Sequence, residues 1–211
     1  MKNLLRLFLA SSFLFFISKN SSAQVTASYG PELGFTASGL YDHYGEEVTA
    51  GLHIHAGATA HFQIGEFFAV RPSLLIQTGQ FQNPDYSEQY TKLTRIYVPV
   101  ALLFSKNFEN DNKMYFGAGP NLKYSIAGKS NNNFDYEVRK IKFGNSTSDD
   151  MKPFDVGLHF RGGFDFSRGL SLSLFLNWGL TNLDPKGEPN KTTGIDAFGF
   201  SFAWMFSGNQ D

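Results

Sequence analysis

The sequence has 211 residues, of which 18% are charged and 16% aromatic, and it contains 23 phenylalanines, 21 glycines and no cysteine. The lack of cysteine excludes disulfides and thiolate metal sites. Many phenylalanines combined with many glycines favour a single β domain with close strand packing over a helical enzyme of this length.

The chain begins with the pattern of a secretory signal peptide. Lys2 and Arg6 precede an apolar run over residues 7–17, and the segment ends in small residues before Gln24. The run is shorter than the about 20 residues that a spanning helix needs, which favours cleavage over an uncleaved anchor. We therefore predict a signal peptide over 1–23 and a mature domain over 24–211.

The predicted mature domain is acidic. The full chain has a net charge of −1, and residues 1–23 hold three basic residues and no acidic one, so residues 24–211 carry −4. Negative charge and export both argue against a nucleic-acid partner.

Period-two alternation, which is typical of strands with two unlike faces, recurs along the whole mature domain. Over 170–180 every even residue is Leu or Trp, and over 198–206 every even residue is aromatic, whereas the odd residues are mostly small or polar. The pattern predicts eight strands, over 25–38, 50–63, 67–80, 92–106, 113–127, 152–166, 170–183 and 194–206.

The predicted connections alternate in length. Those over 39–49, 81–91, 128–151 and 184–193 are long and polar, and those over 64–66, 107–112 and 167–169 are short. In an up-and-down sheet, the long connections all lie at one end and the short turns at the other, together with both termini. Outer-membrane barrels show this asymmetry and have an even strand number.

The two faces distinguish a membrane barrel from a soluble lipocalin-like barrel, whose apolar face would point inward. One face carries Phe, Leu, Val, Trp and Ile, and we predict that it is free of charge on all eight strands. The other is dominated by Gly, Ser, Thr, Ala and Asn, which suits a crowded interior better than a water-exposed surface. We therefore predict an all-β fold, an eight-stranded antiparallel up-and-down transmembrane β-barrel. In-strand prolines at 31, 72, 99 and 120 fit this prediction poorly.

Four stretches resemble the PorT-type outer-membrane β-barrel proteins of the Bacteroidota. They are Phe116-Gly-Ala-Gly-Pro120 with Leu122 and Tyr124, Asp155-Val-Gly-Leu158, Trp178-Gly-Leu-Thr-Asn182 and Ile96-Tyr-Val-Pro99. In the last stretch, Tyr97 stands where the family often has Glu, so an interior ion pair of the family is not expected at that position. The resemblance spans residues 24–206 and implies an eight-stranded, porin-like barrel with no particular activity; one branch of the family assists protein secretion.

Seven charged residues fall on the predicted inward face. Since buried charges need partners and eight strands leave little more room than the side chains fill, we predict an internal charge network that plugs the lumen. A narrow pore is the alternative. The network comprises Glu32, Arg71, Arg95, Lys123, Asp155, Arg161 and Asp165.

Three of the five histidines, His53, His55 and His61, share the inward face of the second strand. A spacing of two residues would let His53 and His55 share a metal, but no acidic residue or cysteine is near them in sequence. We predict no metal and no cofactor, and keep these histidines as weak candidates.

No catalytic constellation is evident. A lipid A-modifying enzyme is the main enzymatic alternative, and its site would use His43 beside Asp42, with Ser38 or Ser87 nearby. We predict instead a non-enzymatic protein of the outer membrane with both termini in the periplasm. Its extracellular loops, above all 128–151, would bind other envelope or secretion proteins, and Trp178, Trp204 and Phe206 would contact lipid at the interfaces.

Overall fold

The computed structural model describes residues 25–41, 48–82, 90–108, 110, 112–131, 137–186 and 194–207. The predicted signal peptide lies outside these ranges. The described chain forms the strands β1 (Val25–Tyr41), β2 (Val48–Ile64), β3 (Phe68–Gln82), β4 (Tyr90–Asn107), β5 (Lys113–Ser130), β6 (Arg139–Lys140), β7 (Phe154–Asp165), β8 (Leu170–Gly179), β9 (Gly194–Trp204) and β10 (Phe206–Ser207). Across the described ranges, no helix has the length and apolarity needed to span a membrane.

The eight long strands form a closed antiparallel barrel in which each strand pairs with its neighbours in the chain. The order is β1-β2-β3-β4-β5-β7-β8-β9, and β9 pairs back onto β1 from Glu32 opposite Ala203 to Tyr41 opposite Gly194. Closure leaves no long strand with an open edge, as a bilayer requires. The predicted fold class is confirmed.

At the long connections, some strands run further than the alternation predicted and others are shorter: β8 ends at Gly179 and not at residue 183, and β7 begins at Phe154 and not at residue 152. β1 continues to Tyr41, β5 continues to Ser130, and β6 adds two residues to the ladder beside β5. At the opposite end, the turns at 65–67 and 166–169 are tight. Gly65 and Gly169 adopt φ values of 67° and 89° there, which a residue with a Cβ atom rarely adopts.

Side chains alternate between the barrel interior and its outer surface. On β8, Ser171, Ser173 and Asn177 are buried, whereas Leu174 and Leu176 are exposed. The prediction of a charge-free outer face is wrong at the strand ends. Lys92 and Lys106, near the two ends of β4, are exposed on that face, since a long side chain can reach beyond an apolar band to water.

The four in-strand prolines lie at interruptions of the hydrogen-bonded ladder. Each has a register partner on one neighbouring strand only: Pro31 on β2, Pro72 on β4, Pro99 on β5 and Pro120 on β7. On the other side of each proline the pairing has a gap. Because proline has no N–H to donate, it is tolerated where the neighbouring strand does not need that donor.

Candidate functional site

All seven inward charges of the predicted network lie inside the barrel. Six of them are at least 96% buried as whole residues, and only Asp165, next to a short turn, is partly exposed. Six of the seven charges form three ion pairs: Glu32 with Arg161, Arg71 with Asp165, and Lys123 with Asp155.

The pair of Glu32 and Arg161 lies in the middle of the barrel and joins opposite parts of the wall. Arg161 Nη2 donates to Glu32 Oε1 at 2.9 Å, and the hydroxyl of Ser73 donates to Glu32 Oε2, also at 2.9 Å. Arg161 Nε donates to the hydroxyl of Ser173 at 3.0 Å. Both charges are therefore held by several charge-assisted hydrogen bonds, which are the strong class of such bonds.

The pair of Arg71 and Asp165 closes the interior near the short turns. Arg71 Nη2 lies 2.8 and 3.0 Å from the two oxygens of Asp165, and Arg71 Nε donates to His61 Nδ1 at 3.2 Å. The guanidinium also covers the ring of Tyr115, 4.4 Å from its centroid. The interior is thus occupied by side chains at this end.

Between these pairs and the long connections lies a layer of neutral polar side chains. The Tyr97 hydroxyl donates to Asn177 Oδ1 at 3.0 Å, and His159 Nδ1 lies 2.8 Å from the same oxygen. His55 Nε2 lies 2.9 Å from the Ser201 hydroxyl. Tyr97, whose hydroxyl donates to an amide oxygen, thus takes part in this layer through a hydrogen bond and not through an ion pair.

Towards the long connections the polar interior is more loosely paired. Lys123 Nζ lies 3.5 Å from Asp155 Oδ2, and Asp155 Oδ1 has no hydrogen-bond partner among the described residues. Arg95 is 2% exposed, and its Nε likewise lacks a partner within those ranges. Neither ring nitrogen of His53 has one either.

Above this layer, at the end of the barrel near the long connections, lies an apolar cluster that the sequence did not predict. Three inward strand residues, Phe81, Leu93 and Ile195, pack with Met151 and Leu183 from the long connections; Ile141 and Phe143 pack against this group. We call these seven residues the apolar cap. Its strand members occupy inward positions near the strand ends. The change at these positions from small polar to large apolar inward residues is the feature of the sequence that could have revealed the cap.

The segment that supplies three of the seven cap residues, Ile141, Phe143 and Met151, contains a compact turn. Gly144 N donates to Met151 O, Ser146 N donates to Asp149 Oδ2, and Lys142 N donates to Asp150 Oδ2. Residues 145–148 at its tip are exposed. Of the predicted loop 128–151, the part described over 137–151 therefore folds back onto the mouth and presents its tip to solvent.

The three histidines of β2 do not converge on one point. His53 packs edge-on against Phe81 at 4.6 Å between ring centroids, His55 contacts Ser201, and His61 contacts Arg71 and Gln63. Within the described ranges, no three His, Asp or Glu side chains form a group that could hold a metal ion.

The three predicted interface aromatics have exposed side chains outside the lumen. The side chains of Trp178, Trp204 and Phe206 are about half exposed, at 57%, 48% and 50%. His43, the residue on which the enzymatic alternative depends, lies outside the described residues, as do Asp42 and Ser87; Ser38 is buried inside the barrel.

Comparison with known proteins agrees with this architecture. Residues 21–184 match the family described as "Outer membrane protein beta-barrel domain". No curated protein matches the chain in sequence. Neisserial surface protein A has a similar structure, with a TM-score of 0.50 and 12% identity over 85% of this chain and 99% of that one. Ail of Yersinia pestis covers the same shares, at 10% identity and a TM-score of 0.44. At 12% identity, the similarity to Neisserial surface protein A shows the fold alone.

Proposed function

Since the chain belongs to the outer membrane protein β-barrel domain family, we propose that it is a non-enzymatic interaction protein of the outer membrane. In this proposal residues 1–23 are removed on export, and both termini face the periplasm. The long connections face the exterior, where they bind another protein of the envelope. The barrel itself acts as a rigid anchor.

The observation that carries this proposal is the closed interior. Ion pairs and hydrogen-bonded side chains occupy the lumen from the short turns upwards, and the apolar cap lies above them near the long connections. A barrel filled in this way offers two surfaces for function, its lipid-facing wall and its exterior connections. Binding residues are commonly found on connections held by a rigid scaffold.

The turn at 142–151 is the best-placed contact surface on the described connections. It is held by its own hydrogen bonds and by the apolar cap beneath it, so its exposed tip is preorganised. Preorganisation reduces the entropy that a loop loses on binding a partner. The resemblance to PorT-type proteins favours one kind of partner, a subunit of a larger envelope or secretion assembly.

The proposal is tested by purification of the tagged protein from its own cells in a mild detergent. The variant T147K/S148K places two charges on the exposed tip and leaves the cap residues unchanged. Its matched control, N107K/S167K, adds the same charges at exposed positions near the short turns. We expect an envelope protein to co-purify with the unaltered chain and with the control, and to be lost from T147K/S148K.

Two results would overturn the proposal. One is the absence of any envelope protein enriched with the unaltered chain. The other is a changed acyl pattern of lipid A in cells that lack the protein, measured by mass spectrometry and not restored by His43→Ala, which would establish the enzymatic alternative.

A further inference from the structure

Three lysines stand side by side on the outer surface of the barrel at the end of the long connections. Lys92 on β4 is the register partner of Lys129 on β5, and Lys129 is the register partner of Lys140 on β6. All three are exposed. We call these residues the lysine row. None of them forms an ion pair with a described carboxylate.

The backbone register fixes this arrangement. Neighbouring strands lie about 4.8 Å apart, so the row spans roughly 10 Å from its first to its third member. Like charges directly opposite each other on a sheet are destabilising. The repulsion is relieved when an anion lies between the ammonium groups, and phosphate is a group that lysine binds as a point charge.

The lysine row lies at the boundary of the apolar surface. The next outward row towards the short turns consists of Thr78, Thr94 and Ala127, in register across β3, β4 and β5. The row beyond it consists of Ile76, Ile96 and Tyr124. The outer surface thus changes from apolar to small and then to basic within three rows, as expected where acyl chains give way to headgroups.

A neighbouring groove indicates a lipid rather than a soluble phosphate. Gln80 on β3 is the register partner of Lys92 and extends the row by one strand. The same Gln80 lines a mainly apolar groove together with Leu52, Trp178 and Phe198, whose side chains are exposed on the outer surface. A groove for hydrocarbon next to a row of ammonium groups suits a molecule that has acyl chains and a phosphorylated headgroup.

We propose that the lysine row is a binding site for the phosphate groups of a membrane lipid whose acyl chains lie against the adjoining wall. This inference depends on the outer-membrane placement in the proposed function. It extends that function by naming a ligand of the barrel wall, an anionic membrane lipid. Each basic residue near an anionic membrane surface contributes about 1 kcal/mol. Loss of all three should therefore weaken binding by roughly 100-fold.

The test titrates the folded full-length mature protein in a neutral detergent with lipid A and measures bound lipid by native mass spectrometry. The row variant is K92Q/K129Q/K140Q. The matched control, K106Q/K113Q/R168Q, removes three charges at the opposite end of the barrel. We expect the control to bind lipid A like the unaltered chain and the row variant to bind roughly 100-fold more weakly. The variant K92R/K129R/K140R should retain binding.

The outcomes separate the possibilities. Equal loss in the row variant and the control would show a general charge effect and overturn the site. Binding of dephosphorylated lipid A as tight as that of lipid A would do the same. Displacement of lipid A by inorganic phosphate at equal concentration would overturn the assignment to a lipid.

Two further controls keep the test decisive. If the row variant does not show the heat-modifiable gel mobility of a folded barrel, the single variant K129Q replaces it, with an expected loss of roughly fivefold. A failure of the unaltered chain to insert into vesicles would refute the proposed function itself, whereas insertion without a preference for lipid A would refute only the lysine row.

Discussion

Replacement of Glu32 by Gln should strongly destabilise the barrel. The carboxylate accepts hydrogen bonds from Arg161 and Ser73, and the Arg161 guanidinium is almost fully buried, with 2% of its side chain exposed. Gln keeps the size and one acceptor oxygen of Glu32 but removes its charge. Arg161 would then be a buried cation without a counter-ion.

The expected cost follows from this loss of the counter-ion. Removal of one partner from a buried ion pair typically costs about 3–5 kcal/mol. The value should lie in this range because Arg161 keeps only neutral partners, such as the hydroxyl of Ser173. The paired change E32L/R161M removes both charges and should cost clearly less than E32Q, since no charge stays buried and unpaired.

The measurement is urea unfolding of the protein in lipid vesicles, followed by tryptophan fluorescence and by heat-modifiable gel mobility. A control, K106Q, removes a charge from an exposed position and should change the free energy of unfolding by less than about 0.5 kcal/mol. A loss of under about 1 kcal/mol for E32Q, or a larger loss for E32L/R161M than for E32Q, would refute the reasoning.

The other predictions concern the cap, closure, the outer surface and processing. Single-channel recording should show little or no conductance for the unaltered protein and also for Met151→Asp, which places a carboxylate in the apolar cap, because ion-paired side chains fill the lumen below the cap; a steady, large conductance would contradict the filled lumen. Truncation after residue 193 removes the strand that closes the barrel, so vesicle insertion and heat-modifiable mobility should be lost, and a folded, inserted fragment would disprove the topology. Lipids with brominated acyl chains should quench Trp178 and Trp204, whereas preferential quenching by aqueous acrylamide would place them in water. Intact-mass measurement of the exported protein should give a chain that begins at Gln24, and retention of residues 1–23 would indicate an uncleaved anchor.

The sequence predicted the strands and their faces because a period of two is a local property. The alternation of Leu and Ser over 170–174 is enough to assign β8 and its lipid-facing side. The partners within the lumen are not local. Glu32 and Arg161 meet because the stagger of the strands around the barrel brings them to one level, and the order of residues along the chain does not determine that stagger.

The apolar cap was missed for a related reason. Leu93 and Ile195 fall on predicted inward positions, where a membrane barrel is expected to be polar, and the loop residue Met151 has no periodic neighbours from which to infer burial. Only the folded turn at 142–151 brings these side chains together. A large apolar residue at an inward position near a strand end is therefore informative about the connections above it.

The pairing of β1 with β9 also has a consequence for how this chain reaches its final state. The wall contains a seam between Leu33 and Phe202, residues that lie 169 positions apart in the sequence. Until β9 docks, β1 has no partner on that side, and an unpaired strand edge readily joins other chains. Because contacts so distant in sequence form slowly, we expect the pairing of β9 with β1 to be a late step of folding, and factors that shield the open edge of β1 until then should suppress aggregation.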